Sequence, residues 1–236
     1  MHNSQCTMHN YRRAEGRACA PRALKWNGFK AVIVHSAFCI LHCVSAHGAE
    51  TKTLDRLRAG LSGITSIRAN YTQEKTLALF KNPLIIKGRM LLDEKGSLLW
   101  VTDEPVRSAL TLRDGTLRQW DEETNRVTSM PVSQIPALPA LTTQIQNWLR
   151  GDFDALARDY EVRVETDSPP VLVCTPRQKD AAPFTSVRLA FNEEPLHLQQ
   201  VTLEETGGNR SSFVFEEVKL NTPVRSDDWK LPPQQP

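Results

Sequence analysis

Nucleophiles, general bases and metal ligands are the residues through which a chain does chemistry, and here they are few and badly spaced. From residue 47 onward there are two histidines, His47 and His197, and one cysteine, Cys174. A zinc centre needs three or four His, Cys or carboxylate ligands converging on one ion, and that supply is missing. A Ser-His-Asp arrangement would have to run through His197, in Pro195-Leu196-His197-Leu198, which reads as a surface histidine on a strand. Cys174 follows Val173 in an apolar strand, the setting of an inert buried thiol rather than an activated thiolate. Adjacent carboxylates at Asp121-Glu122-Glu123, Glu193-Glu194 and Glu204-Glu205 all fall at strand ends or turns, where charge is simply solvated. Gly207-Gly208 marks a hairpin turn with no helix behind it to hold a phosphate. The pattern points away from an enzyme, and neither a metal nor a cofactor is expected.

The elements around these residues are mostly strands. Thr53 opens a helix whose Leu54, Leu57, Leu61 and Ile64 share one face at spacings of three and four. Alternation then predicts strands from Ile67 through Tyr71 and at Leu84–Leu92, Ser97–Thr102, Val106–Arg113, Thr116–Asp121 and Thr124–Met130. Turn chemistry joins them: Asp93-Glu94-Lys95-Gly96, Asp103-Glu104-Pro105 and Asp114-Gly115. A proline-punctuated apolar loop, 131–139, leads into a helix over Leu141–Gly151 and a short acidic helix over Asp152–Asp159. Strands resume at Tyr160–Thr166, Val171–Pro176, Ser186–Asn192, Leu196–Glu204 and Arg210–Val218. About eleven short antiparallel strands broken by one helical insertion predict a mainly β fold, a sandwich or a barrel.

The first 46 residues stand apart. Six cations (Arg12, Arg13, Arg17, Arg22, Lys25, Lys30) precede an apolar run, Ala31 to Ala46, that is too short to span a bilayer. Val44-Ser45-Ala46 supplies a cleavage site, with a cut after Ala49 as the alternative, so residues 1–46 read as a secretory signal peptide. The alternative is a start nearer Leu24, which would give it ordinary proportions and make residues 1–23 a start-site artefact. Cys39 and Cys43 follow Phe38 and His42 where a lipobox needs a small residue. Of 29 Lys+Arg and 27 Asp+Glu, the presequence takes six and one, leaving 23 against 26 and turning +2 into about −3. The basic balance is therefore a property of the presequence and implies no nucleic-acid partner. Four of the five cysteines leave with it, so residues 47–236 form one exported domain without an internal disulfide.

What remains is apolar surface. Val106, Leu110 and Leu112 share one face of their strand, opposite Arg107, Ala109 and Arg113, and Tyr71, Trp100 and Trp120 are expected to extend that apolar side. The segment from Val132 to Leu149 offers a second apolar layer. Composition does not separate a filled core from a cavity.

A family resemblance does. Tyr71-Thr72-Gln73, Gly88, Leu98-Leu99-Trp100, Pro105, Asp114-Gly115 and Trp120, then Phe213-Val214-Phe215, Asn221, Trp229 and Pro232, resemble in order the motifs of the LolA-like family. These are periplasmic carriers of outer-membrane lipoproteins, and the likeness spans roughly residues 52–233. It implies a half-open antiparallel β-barrel of about eleven strands capped by two or three helices. The enclosed space would hold acyl chains of a lipoprotein or another lipid against Tyr71, Trp100, Leu110, Leu112, Trp120, Ile135, Leu138, Ile145 and Trp148. It further implies a periplasmic monomer that takes cargo from an inner-membrane donor transporter and hands it to an outer-membrane acceptor. A lipid- or lipoprotein-sensing adaptor of the same fold, or a specialised carrier serving a lipid exporter, is the alternative. One departure stands out. The best-known members carry an arginine followed by proline in the second turn, bonding the lid helices; here that turn is Asp93-Glu94-Lys95-Gly96. The lid latch is therefore expected to be absent or rebuilt.

Overall fold

The computed structural model describes residues 50–135, 138–178 and 184–231. The presequence with its cleavage sites, His47, Ala137 and Pro232 lie outside the described residues. Helix α1 (residues 50–61) places Leu57, Leu61 and the following Ile64 in the core, as their spacing requires. Six strands follow: β1 (Ser66–Thr76), β2 (Leu84–Asp93), β3 (Leu98–Glu104), β4 (Ser108–Arg113), β5 (Thr116–Asp121) and β6 (Arg126–Pro131). A single 3-10 turn at Val132–Gln134 precedes helices α2 (Leu138–Arg150) and α3 (Phe153–Asp159). Five more strands complete the order: β7 (Tyr160–Asp167), β8 (Pro170–Pro176), β9 (Phe184–Glu193), β10 (Leu196–Glu205) and β11 (Arg210–Leu220).

All eleven strands belong to one antiparallel sheet, ordered β6-β5-β4-β3-β2-β1-β11-β10-β9-β8-β7. Among the described residues every neighbour is a hairpin partner except β1 with β11, the one non-local pairing, which joins the two hairpin groups. The sheet is open, with β6 and β7 as its edges, and the segment that connects those edges carries α2 and α3. The β9–β10 ladder is irregular between Leu198 and Gln200, where β10 carries one extra residue, the kind of bulge that bends a strand.

Local chemistry fixes the register. Asp114 and Gly115 both adopt positive φ (49° and 71°), the two-residue turn that pairs Arg113 with Thr116. Strand β4 begins at Ser108 rather than Val106, because the chain bends at Pro105-Val106 and leaves Val106 exposed. Gly88 is required by contact: a Cβ there would lie 1.9 Å from the Val101 carbonyl oxygen and 2.7 Å from the Tyr71 hydroxyl. The missing side chain lets the Tyr71 ring lie flat across β2.

Two apolar clusters sit on opposite faces. The larger fills the concave side and takes in α1, α2 and α3. The smaller lies on the convex side: Leu91, Leu99, Val101, Ala109 and Trp120, covered by Trp229. The chain after β11 is pinned over that face by Arg68, whose guanidinium donates to the Asp228 carboxylate at 2.6 Å. That pairing holds the Asp228 carboxyl below the usual carboxylate range.

Candidate functional site: an apolar cavity under helix α2

Helix α2 lies over the concave face with an apolar side toward the sheet. Gly151 (φ 67°) ends it in the left-handed conformation, and Asp152 caps α3 by accepting from the Ala155 amide at 3.0 Å. Between α2 and the sheet is a cavity of about 280 Å³. Leu98, Trp100, Leu110, Leu112 and Leu117 form one wall, and Leu198, Val201, Leu203, Phe213 and Phe215 form the other. Thr142, Ile145, Trp148 and Leu149 close it from above, and Phe184 stands at one end.

Aromatic stacking sets the wall. Trp100 lies 4.4 Å, centroid to centroid, from Tyr71 and meets Phe213 edge-on at 6.0 Å. Tyr71 is buried behind Trp100 rather than lining the space, and its hydroxyl meets Thr102 Oγ1 at 3.1 Å. Burial raises the Tyr71 phenol above its ordinary pKa. The indole Nε1–H of Trp148 is buried without an acceptor among the described residues. An orphaned buried donor costs about 1–3 kcal/mol, so this N–H is a standing demand for an acceptor inside the lid.

Of the residues singled out from the sequence, Trp100, Leu110, Leu112, Ile145 and Trp148 are brought together around this space. Ile135 packs half-buried against the main core away from the cavity lining. Leu138 lies on α2, and its side chain is outside the described residues. Trp120 is elsewhere: it pairs with Ala109, not Leu110, and faces the convex cluster. The two-residue turn at Asp114-Gly115 dictates that register, so counting outward from the turn corrects the placement. The whole second wall escaped the sequence reading. Phe213 and Phe215 share parity within β11, but only the long-range β1–β11 pairing sets them opposite Trp100.

Helix α2 is fastened at its C-terminal end to the β2–β3 turn. Arg150 Nη1 donates to the Glu94 carbonyl at 3.0 Å, and its other terminal nitrogen donates to the Asp93 carbonyl. Gln146 Nε2 donates to the Gly96 carbonyl at 3.1 Å. The turn lacks an arginine, as the sequence says, and the connection is rebuilt with the cation on the helix and bare carbonyls on the turn. Gln144, further up α2, donates to the Tyr160 hydroxyl.

The groups able to do chemistry are occupied elsewhere. Cys174 is fully buried, and burial alone pushes its thiol up to about 12. His197 Nδ1 meets the Pro195 carbonyl at 2.6 Å within its own turn. Asp121 accepts from the Thr124 amide and hydroxyl, which hold its carboxyl below the ordinary value. Glu122 faces Arg107 at 3.7 Å, and Glu204 faces Arg210 at 3.3 Å. Among the described residues no group of three His, Cys, Asp or Glu could hold a metal ion, and no helix is long and apolar enough to cross a membrane.

Residues 62–231, well over half the chain, match the family model described as "Outer membrane lipoprotein carrier protein LolA". The chain belongs to the LolA family. An outer-membrane lipoprotein carrier protein of Coxiella burnetii is 24% identical over 203 residues, covering 84% of this chain and 90% of that relative. Among solved structures, an uncharacterized conserved protein from Thermus thermophilus has a TM-score of 0.49 at 13% identity, over 78% of this chain and 94% of that one. A LolA superfamily protein from Nitrosomonas europaea has a TM-score of 0.39 at 11% identity, over 77% and 97%. Within this LolA-family chain, the cavity under α2 joins five of the expected residues to a second wall.

Proposed function

We propose that this protein is a periplasmic carrier that shields the acyl chains of a lipoprotein, or of another lipid, and ferries it between the inner and outer membranes. The observation that carries the reading is the apolar cavity between α2 and the concave sheet, in a LolA-family chain whose curated relative is named as an outer-membrane lipoprotein carrier protein. The protein is exported by its presequence, cut near Ala46 or Ala49, and acts as a monomer. It receives cargo from an inner-membrane transporter and delivers it to an outer-membrane acceptor.

Magnitudes favour a lid that moves. One buried sixteen-carbon chain gains on the order of 12 kcal/mol at about 0.8 kcal/mol per methylene. Release without a nucleotide at the handover requires the empty state to recover much of that. A volume of about 280 Å³ falls just below the roughly 300–1,000 Å³ usual for ligand pockets. The empty cavity is thus partly closed on its own side chains, and a chain enters by lifting α2. The helix-borne Arg150 in place of a turn arginine is compatible with a housekeeping carrier and with a specialised one.

Tryptophan emission tests the reading. Trp100 and Trp148 line the cavity while Trp120 lies on the other face. A long-chain acyl ligand should change emission saturably, and a short-chain acid should not. The change should survive Trp120→Phe and fall away in Trp100→Phe with Trp148→Phe. A long-chain ligand that leaves the emission unaltered would remove the carrier reading.

A further inference from the structure

The large apolar side chains most open to solvent are gathered at one end of the sheet. Leu79 is 95% exposed and Phe80 66%, both in the loop between β1 and β2, with Leu84 and Ile85 following at the start of β2. Val106, in the β3–β4 connection, belongs to the same end. The opposite end holds the β2–β3 turn to which Arg150 is fastened. The exposed loop therefore lies away from the lid's attachment, beside the strand ends nearest Phe184, Leu203 and Phe213 of the cavity.

The loop is a held structure. The Ala78 amide donates to Asn209 Oδ1 at 3.0 Å, tying it to the β10–β11 turn, and the Phe80 amide donates to the Leu77 carbonyl at 2.9 Å. The apolar inner side of β2 runs on into it: Ile86, opposite Gln73, packs against the main core, and Leu84, opposite Lys75, continues the same face.

Charge says what covers it. From Lys75 to Gly88 there are three lysines (Lys75, Lys81, Lys87) and no carboxylate, in a chain that is net acidic after residue 46. Lys87 faces Glu104 at 3.7 Å, whereas Lys75 and Lys81 enter no ion pair among the described residues. The carboxylates at this end of the sheet are mostly paired, Asp103 with Arg89, Glu104 with Lys87, Glu122 with Arg107 and Glu204 with Arg210, and Glu74, Glu123 and Glu205 stand outside the loop. A neighbouring protein's apolar groove would not call for the lysines. A bilayer calls for both features, apolar side chains for its acyl region and cations for anionic headgroups.

We propose that the β1–β2 loop is a membrane-docking tongue: Leu79 and Phe80 enter an anionic bilayer, with Lys75 and Lys81 at its headgroups. This reversible contact sets the cavity's Phe213 end against the lipid surface. It is separate from acyl binding in the cavity and stands or falls by its own test.

Flotation of the lipid-free mature protein with phosphatidylglycerol-containing vesicles, against pure phosphatidylcholine, decides it. The parent should float with the anionic vesicles, and high salt should weaken the association. Leu79→Ser with Phe80→Ser should lower partition about tenfold or more. Lys75→Gln and Lys81→Gln should each lower it about fivefold, on anionic vesicles alone. Neither pair should shift the melting temperature or the acyl-ligand emission titration, because these side chains are outside the cavity lining. A parent that ignores both vesicles, or a serine variant that floats like the parent, overturns the tongue. A photocrosslinker at position 79 that captures only protein in cells does the same. Flotation retained alongside a failed acyl titration would instead remove the carrier reading and leave the tongue standing.

Discussion

Replacing Arg150 by alanine should make the cavity easier to fill. Arg150 donates two of the three hydrogen bonds that hold the end of α2 to the β2–β3 turn, with Gln146 giving the third. Bonds from a charged donor are worth about 1.5–3 kcal/mol each when sheltered. This guanidinium is half-exposed, so solvent screening brings the pair to about 1–2 kcal/mol. On the proposed reading, in which lifting α2 parts Arg150 from the turn carbonyls, all of it favours the closed lid. The open fraction should therefore rise roughly five- to thirtyfold in the variant. Apparent affinity scales with the competent fraction, so the acyl ligand should bind tighter by that factor, up to the point where the open state dominates. Tryptophan emission gives the affinity, and hydrogen exchange at the α2 amides gives the opening, which should quicken by the same factor. Arg150→Lys, keeping the charge but losing the planar fork, should fall between. Unchanged exchange together with unchanged or weaker binding in Arg150→Ala would refute the latch.

Other expectations follow from the same geometry. Leu110→Glu puts an unpaired charge in the apolar wall and should abolish acyl binding well beyond its loss of stability, whereas Arg107→Ala, over Trp120 on the convex face at 5.7 Å, should leave binding nearly unchanged. The Cys174 thiol should resist thiol reagents at pH 8 until the protein unfolds. Its pKa is raised from 9.0 to about 12, so between those values the unfolded chain has lost a proton that the folded one keeps. Stability relative to Cys174→Ala should then be intact below pH 9 and fall through that window, by at most about 1.4 kcal/mol per pH unit, in denaturant titrations. His197→Ala should leave carrier function intact in complementation, and a folded but inactive variant would revive a hydrolase. N-terminal sequencing of the exported protein should begin at His47 or Glu50; intact full-length chain in the cytoplasm would contradict export.

The strands were legible because alternation and turn chemistry are local. Asp93 accepting from the Ser97 amide, and Asp114-Gly115 turning at positive φ, are visible in residue type alone. Five of the fifteen lining residues were legible too: Leu110 with Leu112 follows from period two, Ile145 with Trp148 from helical spacing, and Trp100 from the family motif. The second wall depends on facts that no local pattern holds. The β1–β11 pairing joins residues 134 to 153 positions apart in sequence, from Thr76 with Arg210 to Ile67 with Leu220. The irregularity beside Leu198 puts Leu198 and Val201, three apart, on one face, which strict alternation would separate. Trp120 was misplaced although its register was countable from the turn. The latch could not be read from the turn sequence, because backbone carbonyls accept its bonds and the donors sit on the helix.

On the proposed function, the space under α2 holds acyl chains in the cell. Native mass spectrometry of the protein released gently from the periplasm, followed by lipid extraction, measures this directly. The parent should carry an adduct that yields long-chain acyl material, and a folded Leu110→Glu variant prepared alongside should emerge bare. A parent with no acyl adduct, or parent and variant carrying the same adduct in the same amount, would contradict it.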